Sequence, residues 1–215
     1  MSVVRKSIAF SLLPAFSLAL AACSQSSPPP APADAVAPEG SAAGAPIAPA
    51  PAASAAAPAA AGAQVMLAPT QGHAAAGTLT LHAETGGVRI SGELTGLKPG
   101  SEHGFHIHEN GDCSAPDATS AGGHFNPAGE AHGSMEADVH HAGDMPNQRA
   151  NAEGVADVNM LVHDISLDPG GAGNVVGRAL VVHEQPDDYK SQPAGNAGPR
   201  IACGVITAGA AAPRD

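Results

Sequence analysis

The stretch Gly104-Phe105-His106-Ile107-His108-Glu109 decides the fold, because large apolar side chains alternate in it with imidazoles. Successive side chains of a β-strand point to opposite faces, so the alternation predicts a strand that buries Phe105 and Ile107. The same period places His106 and His108 together on the other face. Two imidazoles on one strand face have the spacing that two neighbouring ligands of one metal ion require.

Six further short runs share the period-two or β-branched character of a strand, and turn residues such as Thr85-Gly86-Gly87 and Lys98-Pro99-Gly100 separate them. With 104–108 included, the predicted strands are 64–67, 78–82, 88–94, 104–108, 154–161, 175–183 and 200–207. No stretch sustains a helical period with caps. Seven or eight strands at roughly ten-residue spacing predict an all-β, antiparallel sandwich or flattened barrel.

A segment of about 40 residues, 109–148, has neither period and is rich in Gly, His, Asp, Asn and Pro. Loops of that length are rare in compact domains unless they are functional or disordered. This one carries His124, His132, His140, His141 and Asp144. We therefore expect a loop that is ordered by metal.

The histidines are concentrated in the same part of the chain, since all of the 11 except His73 and His82 fall between residues 103 and 183. His183 ends a predicted strand and can reach the ion that His106 and His108 approach. A set of imidazoles with one carboxylate suits zinc, whereas an all-imidazole set suits copper(II). Residue chemistry alone predicts one or two divalent metals and leaves the division of ligands between them open.

The N-terminal region predicts export. Arg5 and Lys6 precede an apolar run over 8–20, which is too short to span a membrane, and small residues lead to Cys23. Residues 1–22 are therefore predicted to be a signal peptide, and the Leu20-Ala21-Ala22-Cys23 end resembles a bacterial lipobox, in which Cys23 is lipidated. An ordinary cleaved signal is the alternative. Ser24 after the cysteine favours the outer membrane, so we expect a protein tethered in the periplasm.

Residues 23–61 comprise Cys23 and a tract with nine Pro and seventeen Ala, which predicts a disordered tether. The folded domain is predicted over 62–209, with a short tail at 210–215. In an oxidising compartment Cys113 and Cys203 are expected to form a disulfide. A two-cysteine metal site is less favoured, because no Cys-x-x-Cys spacing exists.

The charge balance of this chain argues against nucleic acid as a partner. Nine Lys and Arg stand against 20 Asp and Glu, a net charge of -11, which becomes -13 once Arg5 and Lys6 leave with the signal. Such a surface repels nucleic acid and anionic lipid. Aromatic residues are only 2% of the chain, which excludes stacking platforms for single strands.

Five motifs, in order from about residue 63 to 207, resemble those of the copper–zinc superoxide dismutases. They are Gly104-Phe105-His106-Ile107-His108-Glu109, Gly123-His124-Phe125-Asn126-Pro127, His141-Ala142-Gly143-Asp144, Gly177-Arg178-Ala179-Leu180-Val181-Val182-His183-Glu184, and Gly195-Asn196-Ala197-Gly198-Pro199-Arg200-Ile201-Ala202-Cys203-Gly204-Val205-Ile206. The resemblance implies an eight-stranded Greek-key barrel or sandwich, immunoglobulin-like, with long metal-binding and electrostatic loops.

The resemblance also implies the roles of individual residues. It assigns one copper ion per chain to His106, His108, His124 and His183, and one zinc ion to His124, His132, His141 and Asp144. His124 bridges the two ions, and Asp187 hydrogen-bonds one ligand of each, His106 and His132. Arg200 guides the superoxide anion to the copper. His140 is the alternative to His141, but only His141 has the His-x-x-Asp spacing.

The implied activity is the conversion of two superoxide radicals to oxygen and hydrogen peroxide by cycling of the copper ion. The main alternative is a periplasmic copper or zinc carrier of the same fold, which has no need of Arg200 or Asp187. A copper-only dismutase would not need His132, His141 and Asp144, and a binding domain without metal would leave the long loop with nothing to order it. The sequence leaves homodimer and monomer open.

Overall fold

A computed structural model describes residues 62–209, which form nine antiparallel strands, one 3₁₀ turn and no α-helix. The predictions for the signal, Cys23, the tether and the tail lie outside the described residues. Nothing helical in the described range is long and apolar enough to cross a bilayer. The strands are β1 (Gly62–Pro69), β2 (Ala76–Glu84), β3 (Gly87–Thr95), β4 (Glu102–His103), β5 (Phe105–His108), β6 (Gln148–Arg149), β7 (Ala156–Val162), β8 (Ala179–His183) and β9 (Arg200–Ala208).

Seven strands form one sheet in the order β5-β8-β9-β1-β2-β3-β7, and β4 pairs with β6 in a small second sheet. The last strand, β9, returns to lie beside the first, β1, as Greek-key connectivity requires. Strands from both ends of the seven-stranded order contribute to a single core, for example Ile107 of β5 and Val158 of β7. The sheet therefore curls around its own inner face. The prediction of an all-β antiparallel fold is confirmed.

Alternating burial shows why the period-two runs became strands. In β1, Val65 and Leu67 are buried while Gln64 and Met66 are exposed, and the central residues of β2 and β3 follow the same rule. The runs at 64–67, 78–82, 88–94 and 200–207 lie inside β1, β2, β3 and β9. Those at 104–108 and 154–161 match β5 and β7 to within two residues.

The predicted strand at 175–183 is too long, because β8 begins only at Ala179. Residues 175–178 form a turn instead, in which Gly177 has φ +86° and Arg178 N–H donates to the Val175 carbonyl. All five residues of β8 are buried, since Ala179 and Val181 pack in a second small cluster that contains Cys203. This covering explains why the strand reads as a continuous apolar run.

The long loop is more structured than its composition predicts. It contains a 3₁₀ turn, Thr119–Ala121, and its final residue, Gln148, begins strand β6. The expectation of a segment without any strand or helix over 109–148 is therefore wrong at these two places. Two-residue strands and single 3₁₀ turns are too short to produce a period in sequence.

Candidate metal centre

Strand β5 delivers two imidazoles from one face, as its alternation predicts. Phe105 and Ile107 are fully buried in the main core, and His106 and His108 lie on the opposite face, also buried. The neighbouring strand β8 ends at His183. The side-chain nitrogens His108 Nε2 and His183 Nε2 lie 3.4 Å apart.

The long loop folds back on the free edge of β5 and closes the site. Phe125 N–H donates to the Ile107 carbonyl at 2.8 Å, and Ile107 N–H donates to the Gly143 carbonyl at 3.0 Å. A third bond, from Gly143 N–H to the Phe125 carbonyl at 2.9 Å, joins the two loop segments. These backbone bonds place His124 and Asp144 directly beside the strand histidines.

Two groups of buried donor atoms result, each lying within 4.8 Å of one another. The first consists of His106, His108, His124 and His183, and the second of His124, His132, His141 and Asp144. His124 belongs to both groups. The structure thus brings together every residue that the resemblance assigns to each metal.

The ring nitrogens that face into the two groups have no hydrogen-bond partner, although they are buried. These atoms are His106 Nδ1, His124 Nε2, His132 Nδ1 and His141 Nδ1. Buried polar atoms without partners are rare in folded proteins and call for an explanation such as an ion. Four imidazoles suit copper(II), and three imidazoles with one carboxylate suit zinc, so the residues present fit the two metals.

The opposite nitrogen of each copper-side ring is fixed by a hydrogen bond to the protein. His108 Nδ1 donates to the Gly122 carbonyl at 3.0 Å, and His183 Nδ1 donates to the Gly198 carbonyl at 3.1 Å. These bonds set the tautomer that leaves Nε2 of each ring free to bind an ion. The arrangement is that of ligands oriented in advance.

Asp187 ties the two groups together from outside. Its Oδ2 accepts from His106 Nε2 at 2.7 Å, and its Oδ1 accepts from His132 Nε2 at 3.0 Å. Asn147 holds Asp187 in turn, because its side-chain amide donates to the Asp187 carbonyl and accepts from the Asp187 N–H. One buried carboxylate therefore orients one ring of each group.

The electrostatics of the two groups differ. Burial, with the neighbouring rings, lowers the pKa of His106 to about 4 and that of His183 to about 3, so both are neutral at pH 7. Burial also disfavours the charged form of His132, but its hydrogen bonds to Asp144 and Asp187 outweigh burial and raise its pKa to about 9. In the metal-free protein the second group therefore holds a proton that an ion must displace.

Arg200 lies beside the first group at the start of β9. Its guanidinium donates to the Ala118 carbonyl at 2.5 Å and to the Gly122 carbonyl at 2.6 Å. The side chain lines a surface cavity of about 320 Å³ with Thr70, His73 and Thr119 among its other walls. A fixed guanidinium in an open cavity is suited to attract a small anion.

Comparison with known proteins decides the family. Residues 75–206 match the family described as copper/zinc superoxide dismutase (SODC). The chain belongs to this family. It is 46% identical over 147 residues to "Superoxide dismutase [Cu-Zn] 2" of Aquifex aeolicus, covering 67% of this chain and 85% of that protein.

Two further relatives carry the qualified name "superoxide dismutase-like" or "SOD-like". The Bacillus subtilis protein YojM is 41% identical over 148 residues, which cover 67% of this chain and 76% of YojM. The crystal structure of a SOD-like protein from Bacillus subtilis superposes with a TM-score of 0.61 at 41% identity, covering 66% of this chain and 96% of that one. Family membership is therefore firmer than activity.

A disulfide secures the Arg200 side of this superoxide dismutase fold. Cys113 in the long loop is bonded to Cys203 in β9, 90 residues apart in sequence. The loop that it closes includes Ala118 and Gly122, whose carbonyls hold Arg200. The cross-link thus connects the strand that carries the guanidinium to the loop that orients it.

The remaining histidines of the superoxide dismutase domain belong to neither group of donors. His73 and His82 are exposed, and His163 donates to the Gly86 carbonyl. His103 is buried between the His183 carbonyl and Ser101. His140, the alternative to His141, lies with its Nε2 3.5 Å from a carboxylate oxygen of Asp164.

Several residues that build the site were not singled out from the sequence. Ala118 and Gly122 act through backbone carbonyls, which carry no side-chain signal. Asn147 is one of many loop amides, and its partner Asp187 is 40 residues away. Gly195 has φ +65°, and a Cβ there would overlap Asp187 Oδ1. Its place in the last motif was the one available signal.

Proposed function

We propose that this protein is an active superoxide dismutase that converts two superoxide radicals and two protons to oxygen and hydrogen peroxide. The observation that carries the proposal is the shared ring of His124, whose Nε2 belongs with the first group and whose Nδ1 lies 2.7 Å from Asp144 in the second. Together with the family's named dismutases, this arrangement supports one copper and one zinc ion per chain.

The ligand assignment follows the chemistry of the donor atoms. His106, His108, His124 and His183 would hold copper, and His124, His132, His141 and Asp144 would hold zinc. When bound, copper supplies the one-electron steps, oxidising one superoxide and reducing the next. Zinc has no redox chemistry and would hold His124 in place.

The side chains supply attraction and a proton. Arg200 offers a permanent positive charge beside the first group, which matters because the chain's net charge of -11 repels an anion on average. His124 Nε2 is the ring atom that can carry the proton needed by the second superoxide. Asp187 keeps His106 and His132 oriented throughout.

The test is the direct decay of superoxide in stopped-flow mixing with the copper- and zinc-loaded protein. We expect fast decay that is lost when a chelator strips the metals and returns when both are restored. Fully loaded protein that leaves the spontaneous decay rate unchanged would overturn the proposal. It would favour the carrier function that the qualified names of the Bacillus subtilis relatives keep in view.

We further propose that the protein works in the bacterial periplasm, anchored through lipidated Cys23, most simply to the outer membrane. The Leu-Ala-Ala-Cys sequence supports this, as does the disulfide, which persists in oxidising compartments. In cells, the wild type should fractionate with membranes and incorporate labelled fatty acid. The Cys23→Ser variant should do neither. Equal fractionation of the two would contradict the anchor.

A further inference from the structure

The segment that carries His132 has an unusual means of support. Residues 130–133 belong to no strand or helix, and their backbone groups bond to side chains from elsewhere in the chain. The Asn126 amide donates to the Glu130 carbonyl at 2.8 Å and accepts from the Glu130 N–H at 3.0 Å. Gly133 N–H donates to Asp144. The position of His132 therefore depends on distant side chains rather than on a regular element.

Gln192 makes the contact at His132 itself. Its Oε1 accepts from the His132 N–H, and its Nε2 donates to the His132 carbonyl, both at 2.9 Å. A planar carboxamide carries a donor and an acceptor side by side, so it can bond both polar groups of one residue as a neighbouring strand would. The two residues are 60 positions apart in sequence.

The same segment also holds the ring of His132. Asp187, five positions before Gln192, accepts from His132 Nε2 at 3.0 Å. The backbone and the imidazole of one residue are thus fixed from one neighbouring segment. With both fixed, Nδ1 lies 3.0 Å from Asp144 Oδ2, among the donors of the second group.

We propose that Gln192 is a positioning residue for the second metal group, which holds His132 in its ligating position before the ion arrives. This inference rests on the proposed assignment of zinc to that group. Removal of a group that orients a metal ligand typically costs about 10–100-fold in metal affinity. The first group does not include His132, so the effect should fall on zinc and spare copper.

The experiment uses Co²⁺ as a coloured probe of the zinc position in the purified full-length protein that already holds copper. Visible spectra report the Co²⁺ coordination, and mixing with excess chelator gives its dissociation rate. The variants are Gln192→Ala and Gln192→Glu, the second of which keeps the acceptor for the His132 N–H but loses the donor. Gln185→Ala is the matched control, because Gln185 is an exposed glutamine of the same connection.

We expect Gln192→Ala to release Co²⁺ about 10–100-fold faster and to alter its visible spectrum. Copper content should stay at the wild-type level, Gln192→Glu should be intermediate, and Gln185→Ala should match the wild type. Release at the wild-type rate, or equal acceleration by Gln185→Ala, would overturn the inference alone. Failure of the wild type to bind Co²⁺ or Zn²⁺ would overturn the proposed function and this inference with it.

Discussion

Arg200 and His108 donate hydrogen bonds to the same acceptor, the carbonyl oxygen of Gly122. The guanidinium Nη2 lies 2.6 Å from this oxygen, and the imidazole Nδ1 lies 3.0 Å from it. One backbone carbonyl therefore fixes both the cation proposed to attract superoxide and a proposed copper ligand. The disulfide between Cys113 and Cys203 closes the loop in which that carbonyl lies.

The shared carbonyl makes Arg200 a sharp target. Arg200→Ala removes the charge and should slow superoxide decay by about tenfold or more at low ionic strength, with a weaker salt dependence. Arg200→Lys keeps the charge but loses the planar fork, so it should recover part of the rate. Metal content, measured by elemental analysis, should match the wild type in both. A wild-type rate for Arg200→Ala would remove this residue from the mechanism.

The shared ring makes a different prediction for His124. His124→Ala should lose zinc and distort the copper site together, because one imidazole belongs to both groups. Elemental analysis and the copper EPR spectrum measure the two effects. As single-site controls, His183→Ala should reduce copper alone and His141→Ala should reduce zinc alone. Normal zinc content with an unchanged copper spectrum in His124→Ala would contradict the bridge.

Gly195 tests the position of Asp187. In Gly195→Ala the new methyl group would meet Asp187 Oδ1 and would lie 2.8 Å from His132 Nε2, so both proposed metals should bind less tightly. The φ of +65° adds about 1–2 kcal/mol of backbone strain. Gly170→Ala is the control, since Gly170 has φ +85° and a methyl group there would have no other atom within 4 Å. Equal metal content in the two variants would contradict the prediction.

The stability of the metal-free protein should depend on pH in two opposite ways. Burial lowers the pKa of His106 and His183 to about 4 and about 3, from 6.5. Between pH 6.5 and 4 the unfolded chain therefore binds protons that the folded chain does not, and the free energy of unfolding falls as pH falls. The raised pKa of His132, about 9, adds stability that is lost as pH rises through 9.

Urea unfolding of the metal-free protein at a series of pH values measures this dependence. We expect a maximum between about pH 6.5 and 9, with a decline on each side. The variant His82→Ala, which changes an exposed histidine outside both groups, should give the same profile as the wild type. A free energy of unfolding that stays constant from pH 7 to pH 4.5 would show that the buried rings do not control stability in this way.

The strands were predictable because their signal is local. Alternation in β1 to β3 reflects burial on one face, and it can be read within a few residues. The start of β8 was misjudged because Val175 and Val176 are apolar residues of a turn, buried or half-buried like a strand. Apolar composition alone does not separate the two.

The donor residues of the site were predictable from spacing and from resemblance, but their supports were not. The Gly122 carbonyl that holds Arg200 leaves no trace in the side-chain sequence. Gln192 and His132 are 60 residues apart, and a single glutamine in a loop has many possible partners. Such contacts depend on the tertiary fold, which sequence periodicity does not describe.

Dismutase activity is best tested by a copper titration of the zinc-loaded protein, with superoxide decay and bound copper measured on the same samples. We expect a decay rate that rises in proportion to bound copper and stops rising at one copper per chain. Copper that binds to that same limit without any increase in the decay rate would contradict the proposed activity.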